Sequence, residues 1–204
     1  MYSLTKKRWQ AINDRDSDYD GRFIYGVMTD HRVCCPSCQR EKDCSPEDIR
    51  IFKTSDEALF EGFIPCPDCH PFGDLSEKAE LVNQVKVYLA HHYQDRITLE
   101  SLAEAFQVST GVLHRAFMTL TDESPQAYLV RLRMYHAKKM LRDGNEAVAL
   151  IGLKVGIPNL SYFNTVFKQQ VGQTAVQYRK KITKQKATHL FGESFFSHHL
   201  PVTS

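Results

Sequence analysis

Nowhere in the 204 residues do about 18 apolar positions follow one another, the length at which a helix begins to cross a bilayer. A membrane span is therefore not expected. The N-terminus, MYSLTKKRWQ, passes into polar sequence without the apolar core of a secretory signal. The thiols are accordingly expected in a reducing, cytoplasmic setting, which argues against a disulfide framework. Strong net charge is missing too: the total is +2. The balance is uneven, however. Residues 1–75 hold 10 basic and 14 acidic side chains (net −4), and the remainder holds 16 basic and 10 acidic (net +6). A basic module of this kind is a candidate for nucleic acid.

All six cysteines, at 34, 35, 38, 44, 66 and 69, fall in the acidic part. That part reads as a small mixed domain over 1–73. LTKKRWQAI suits a short helix, Arg22–Thr29 and Ile49–Thr54 suit strands, and SDEALFEG suits a second short helix stopped by Gly62. From Asp74 the pattern turns helical. DLSE fits a capping box with Asp74 as N-cap and Glu77 reaching back, followed by an apolar stripe of Leu81, Val85, Tyr88 and Leu89. No strand-like alternation follows, so 74–184 is expected to be all α. Residues 185–204, including FFSHHL, lack a clear period and read as a tail.

Four cysteines form two close pairs, Cys34 or Cys35 with Cys38, and Cys66 with Cys69. Two such pairs separated by a β segment suit one zinc ion held tetrahedrally by four thiolates. His70 sits beside Cys69 and is expected to point elsewhere. Cys44 reads as a half-buried free thiol. The first pair is ambiguous, and spacing alone favours Cys35 and Cys38, the ordinary CxxC knuckle, which makes Cys34 a spare and the zinc site structural; Cys34 and Cys38 are spaced CxxxC.

RW near the start, DGRFIYGV, the PSC that ends at Cys38, and EALFEGFIPCPDCHP together resemble the N-terminal domain of the Ada adaptive-response family over about 8–72. The resemblance implies a zinc-dependent DNA repair methyltransferase that removes methyl groups from DNA phosphotriesters. It matches Cys34 to the zinc-bound acceptor and Cys38, Cys66 and Cys69 to the other ligands. Cys35 stands where the family carries arginine, which removes a positive charge near the thiol. Zinc keeps a cysteine deprotonated at neutral pH, and the thioether product is permanent, so such a protein reacts once. Methylation takes the cluster from −2 to −1 and eases its approach to phosphates. Arg32, Arg40 and Lys42 flank the site as candidate DNA contacts, each equally readable as a solvated surface charge.

LESLAEAFQVSTGVLHRAFMTL has the layout of a helix-turn-helix, with Leu113, Ala116, Phe117 and Leu120 as the inner face of its second helix. AVALIGLKVGIPNLSYFNTVFKQQVG repeats it, with Leu160, Phe163, Phe167 and Val171 in that role. The repeat resembles the AraC-type activator family at Gly156, Ile157, Tyr162, Phe163, Phe167, Lys168 and Gly172. It departs at Gly152, usually alanine, and at Ala175, usually proline. The groove-facing candidates are Ser109, Thr110, His114 and Arg115 in the first unit. In the second they are Asn159, Ser161, Asn164 and Thr165, with Lys168 for phosphate. The fold class expected is thus an α+β zinc-binding N-terminal domain followed by an all-α AraC-type domain with two helix-turn-helix units. No PCHRV-like motif follows, so an O6-methylguanine acceptor domain is not expected, and the chain resembles the short, two-domain form of the family. The resemblance implies duplex DNA and RNA polymerase as partners, monomeric binding, and a cytoplasmic, nucleoid-associated protein that activates transcription once methylated. A regulator whose four-cysteine zinc site is structural, or senses oxidants or other electrophiles, is the alternative.

Overall fold

The computed structural model describes residues 2–40, 44–73 and 76–194, with 186–194 by backbone only. Helix α1 (Lys6–Asn13) starts at Thr5, whose hydroxyl accepts the Arg8 amide. Four short strands follow: β1 (Ile24–Val27), β2 (Arg32–Cys34), β3 (Ile49–Phe52) and β4 (Ile64–Pro65), with α2 (Ser55–Phe60) between the last two. Their order in the sheet is β3-β1-β2-β4, antiparallel except for the parallel β2–β4 pair. β1 is buried at every position. One side of the sheet carries Tyr25, Val27, Ile49 and Ile51 together with Cys34, Cys38 and Cys66; the other carries Ile24, Val33, Phe52, Ala58 and Phe63. Gly26 is required at the crowded centre, because a Cβ there would lie 2.4 Å from the Phe63 ring and 2.9 Å from Phe52.

Sequence pattern anticipates α1, β1, β3 and α2. It misses β2 and β4, three and two residues long, which are defined by pairing with distant neighbours: β2 with β1 and β4, and β4 with β2. The Ile64 amide donates to His31 O at 2.8 Å and the Cys66 amide to Val33 O at 2.9 Å.

The remainder is helical: α3 (Glu77–His92), α4 (Leu99–Ala105), α5 (Thr110–Thr121), α6 (Pro125–Asp143), α7 (Val148–Lys154), α8 (Leu160–Val171) and α9 (Ala175–Ser194). The cap of α3 is Ser76, whose hydroxyl accepts the Ala79 amide; Asp74, expected there, lies outside the described residues. The buried stripe of α3 is Ala79, Val82, Val85, Lys86 and Leu89, which leaves Leu81 and Tyr88 only half-buried. α9 continues past Gln185 to Ser194, so the expected tail begins as helix. FFSHHL lies outside the described residues beyond Ser194.

The two helix-turn-helix units repeat each other in detail. Their second helices, α5 and α8, have 12 residues each, with side-chain N-caps from Ser109 and Asn159 and left-handed C-caps at Asp122 and Gly172. Each turn passes through one positive-φ residue, Gln107 (54°) or Gly156 (81°). The inner faces are Leu113, Ala116 and Phe117 in α5 and Phe163, Val166 and Phe167 in α8. Leu120 (43% exposed) and Leu160 (44%) do not join them, because they sit in the terminal turns where the inner face has run off its neighbour, and Val171 is half-buried. Gly152 lies where a Cβ would come 3.0 Å from Ile157 O. Ala175 opens α9 fully buried, and a reciprocal Thr174–Gln177 cap takes the place of a proline start.

Contacts divide the chain into two compact units, Met1–Tyr93 with Ile97–Leu129 and Gln94–Arg96 with Val130–Ser204. The first unit therefore contains both the sheet and the first helix-turn-helix. Within it Lys86 of α3 reaches Asp56 of α2 at 3.0 Å, with side chains 11% and 23% exposed. Lys86 also lies over the Tyr128 ring, which packs edge-on against Phe60. Asp56→Ala strands a buried ammonium and is expected to cost about 2–4 kcal/mol, read as a lower urea midpoint. Lys86→Met removes the charge together with its desolvation and is expected to cost less.

Candidate metal centre

The sulfurs converge because two strand ends coincide. β2 ends on Cys34, and the register Arg32↔Ile64, Val33↔Pro65 brings Cys66 level with it. Parallel strands leave the sheet in the same direction, so both knuckles form at one edge. The first closes with the Cys38 amide donating to Cys35 O at 3.1 Å. Asp20 holds it, accepting the Ser37 amide at 3.0 Å and the Ser37 hydroxyl at 2.6 Å. The sulfurs of Cys34, Cys38, Cys66 and Cys69 all lie within 4.8 Å of one another, with Cys38 and Cys66 4.0 Å apart. A tetrahedron built on Zn–S bonds of about 2.3 Å has edges of about 3.8 Å. One zinc ion fits this donor set.

Cys35 stands apart. Its sulfur is 3.5 Å from Ser37 Oγ and 3.9 Å from Cys69 O. Burial pushes its thiol up to about 11, against the Ser37 hydrogen bond. Cys44 packs partly buried on the same cluster, and His70 is exposed outside the four-sulfur group.

Within the group, burial first and then the neighbouring sulfurs push Cys38 up to about 12. A hydrogen bond shared with Cys34, and then burial, raises Cys69 as well. Cys66 is lowered: burial opposes its ionisation, but the Asp68 and Cys69 amides outweigh it. Crowded thiols of this kind resist collective ionisation until a divalent cation offsets the charge.

The donors to sulfur differ. Cys38 is met by the Arg40 amide, Cys66 by the Asp68 and Cys69 amides, and Cys69 by the Cys35 amide. Cys34 meets a side chain, Arg40 Nη2, at 3.8 Å. Arg40 Nη1 is in turn paired with Asp30, whose other carboxylate oxygen accepts the Arg32 amide at 3.1 Å. Burial opposes the Arg40 charge, yet the bonds to Asp30 and Cys34 outweigh it and raise its pKa. Burial likewise opposes ionisation of Asp30, and its bonds to Arg40 and Arg32 lower its pKa on balance.

Of the flanking basic candidates, Arg32 begins β2 half-exposed and Arg40 touches Cys34, while Lys42 lies outside the described residues. Asp20 and Asp30, which the motif reading passed over, stand at turns before the site. Aspartate in a turn is a sign of local backbone or side-chain bonding, and that signal was available.

On the helices, Thr110, His114, Arg115, Ser161, Thr165 and Lys168 are exposed and Asn164 is half-exposed. Ser109 Oγ and Asn159 Oδ1 are occupied as caps for Val112 and Tyr162, and Thr165 bonds back to Ser161 O. Among the described residues no helix is long and apolar enough to cross a membrane.

Comparison with known proteins agrees with both halves. Residues 7–71 match the metal binding domain of Ada, and residues 102–181 match a helix-turn-helix domain. The bifunctional transcriptional activator/DNA repair enzyme AdaA of Bacillus subtilis is 33% identical over 91% of this chain and 87% of its own length. The bifunctional activator/repair enzyme Ada of Escherichia coli is 31% identical over 85% of this chain, which spans 48% of that protein. Among solved structures, the C-terminal domain of the response regulator AraT from Geobacillus stearothermophilus superposes with a TM-score of 0.50 at 30% identity, covering 52% of this chain and 88% of that one. With a zinc-binding sheet domain leading into paired helix-turn-helix units, the chain belongs to the Ada family, in its AdaA-type arrangement.

Proposed function

We propose that the chain takes the methyl group of a DNA methylphosphotriester onto Cys34 and, once methylated, activates transcription. The observation that carries this reading is the grouping of Cys34, and not Cys35, with the other three sulfurs. Zinc held by Cys34, Cys38, Cys66 and Cys69 supplies the charge that keeps them deprotonated at neutral pH. Cys38, Cys66 and Cys69 receive backbone amides, which draw electron density from sulfur. Cys34 meets a side chain that is able to move away. Cys35, held as a neutral thiol, is a poor nucleophile.

Four thiolates on one dication carry −2, and methylation reduces this to −1. At an effective dielectric of ~20 and a separation of ~10 Å each lost repulsion with a phosphate is worth on the order of 1–2 kcal/mol, less with added salt. Residues 1–75 carry net −4, which suits a module that binds duplex poorly until partly neutralised. The exposed residues of α5 and α8 reach the major groove, RNA polymerase meets the activated form, and one chain with two such helices binds as a monomer in the cytoplasm, on the nucleoid.

The test is to incubate the zinc-loaded protein with methylphosphotriester duplex and fragment the peptide carrying both cysteines. One methyl group per chain on Cys34 is expected. A methyl on Cys35, or no uptake, overturns the reading. Salt titration of promoter binding before and after uptake is expected to show tighter binding by about tenfold at low salt, shrinking as salt rises.

A further inference from the structure

Cys34 is 0% exposed. A sulfur so covered cannot reach a methyl carbon on a duplex until something above it moves. Arg40 is the side chain that meets it: Nη2 lies 3.8 Å from the sulfur, and the side chain is 23% exposed. Nη1 is tethered by Asp30, and that carboxylate is fixed in its turn by the Arg32 amide. The third donor, Nε, is buried and has no partner among the described residues. A buried donor without an acceptor is uncommon and calls for an explanation, a functional role among them. The Nε and Nη2 edge of a guanidinium matches two phosphate oxygens.

We infer that Arg40, tethered by Asp30, is both the cap on Cys34 and the receiver of the lesion's phosphate. The inference rests on the reading of Cys34 as acceptor. As DNA docks, the guanidinium turns from sulfur to the phosphoryl oxygens, which uncovers the nucleophile and places two donors where charge will appear. The sulfur lone pair then forms the S–CH3 bond and the methyl C–O bond breaks. The electron pair stays on oxygen, giving a phosphodiester monoanion, and no proton or oxidant takes part. The triester is neutral and the product anionic, so the Arg40 contact strengthens along the reaction and favours the transition state over the bound lesion.

The experiment uses full-length, zinc-loaded protein and two methyl donors: methylphosphotriester duplex, and methyl iodide without DNA. Rates of Cys34 methylation are followed by peptide mass and zinc content by a chromogenic chelator. Arg40→Gln is expected to slow transfer from DNA by about ten- to a hundredfold, to speed reaction with methyl iodide severalfold, and to keep its zinc. Asp30→Asn is expected to shift both rates the same opposite ways by less. Rates that stay at wild-type values, or fall together, overturn the inference. Should Arg40→Gln lose zinc, Arg40→Lys and Asp30→Asn carry the same two-rate test. If the wild-type chain takes no methyl from the lesion, the acceptor reading fails instead, and the methyl iodide arm still decides whether Arg40 caps the sulfur.

Discussion

Cys34→Ser is expected to abolish methyl uptake from phosphotriester DNA, by about a thousandfold or more, equivalent to some 4 kcal/mol of barrier. A serine hydroxyl stays protonated at neutral pH and is a poor nucleophile toward carbon. The substitution also deletes a ligand, so loss of activity alone is ambiguous. Cys38→Ser resolves it, since it deletes a ligand from the same knuckle while leaving the acceptor. With zinc content measured alongside, Cys38→Ser is expected to keep measurable uptake for as long as it keeps zinc, and Cys34→Ser none even when loaded. Cys35→Ser completes the set. Its sulfur faces Ser37 and Cys69 O, so uptake is expected within about twofold of wild type. Uptake that survives in Cys34→Ser and vanishes in Cys35→Ser would assign the reaction to the other sulfur.

The ambiguity between those two cysteines shows where sequence stops being informative. CxxC spacing makes Cys35 the better partner for Cys38, and nothing local speaks for Cys34. What separates them is register: β2 ends on Cys34 and pairs with β4, so Cys34 is level with Cys66. A parallel pair two residues long leaves no periodic signal, and its partner lies some thirty residues away. Lys86 escaped for a related reason. Pattern reading assigns lysine to the surface, yet here it fills the buried stripe of α3 because Asp56 and the Tyr128 ring receive it. Features set by neighbours within one element were legible. The helix-turn-helix duplication, the inner phenylalanines Phe117, Phe163 and Phe167, and the glycine turn at Gly156 all follow from spacing of three or four residues. Leu120 and Leu160 mark the edge of that method, since a helical face says nothing about where the neighbouring helix ends. The Asp30–Arg40 pair reaches from the turn before β2 to the knuckle after it, where sequence offers charges without saying which of them meet.

Stripping the metal is expected to unfold the sheet domain outright while leaving the helices of the second unit folded. The strands have four, three, four and two residues, and three of the clustered sulfurs, Cys34, Cys38 and Cys66, belong to the buried core beside Tyr25 and Ile51. Without the ion nothing ties the two knuckles, and a structural zinc site contributes on the order of 10 kcal/mol to the domain it folds. The expected readout is loss of near-ultraviolet signal from the domain's aromatics, Trp9 and Tyr25 among them, on adding chelator with a thiol reductant, with recovery on adding zinc. The pH dependence has opposite signs in the two forms. In the loaded form metal binding requires deprotonated sulfur, so stability is present at neutral pH and lost as acid displaces the ion with protons. In whatever folded fraction survives without metal, Cys38 is raised from 9.0 to about 12 and Cys69 is raised too. Their contribution is then complete below about 9 and lost as pH climbs toward the folded values. A chelated protein that keeps its aromatic signal at neutral pH, or a loaded one indifferent to acid, would show that the sheet holds itself together and that the four sulfurs are not its structural tie.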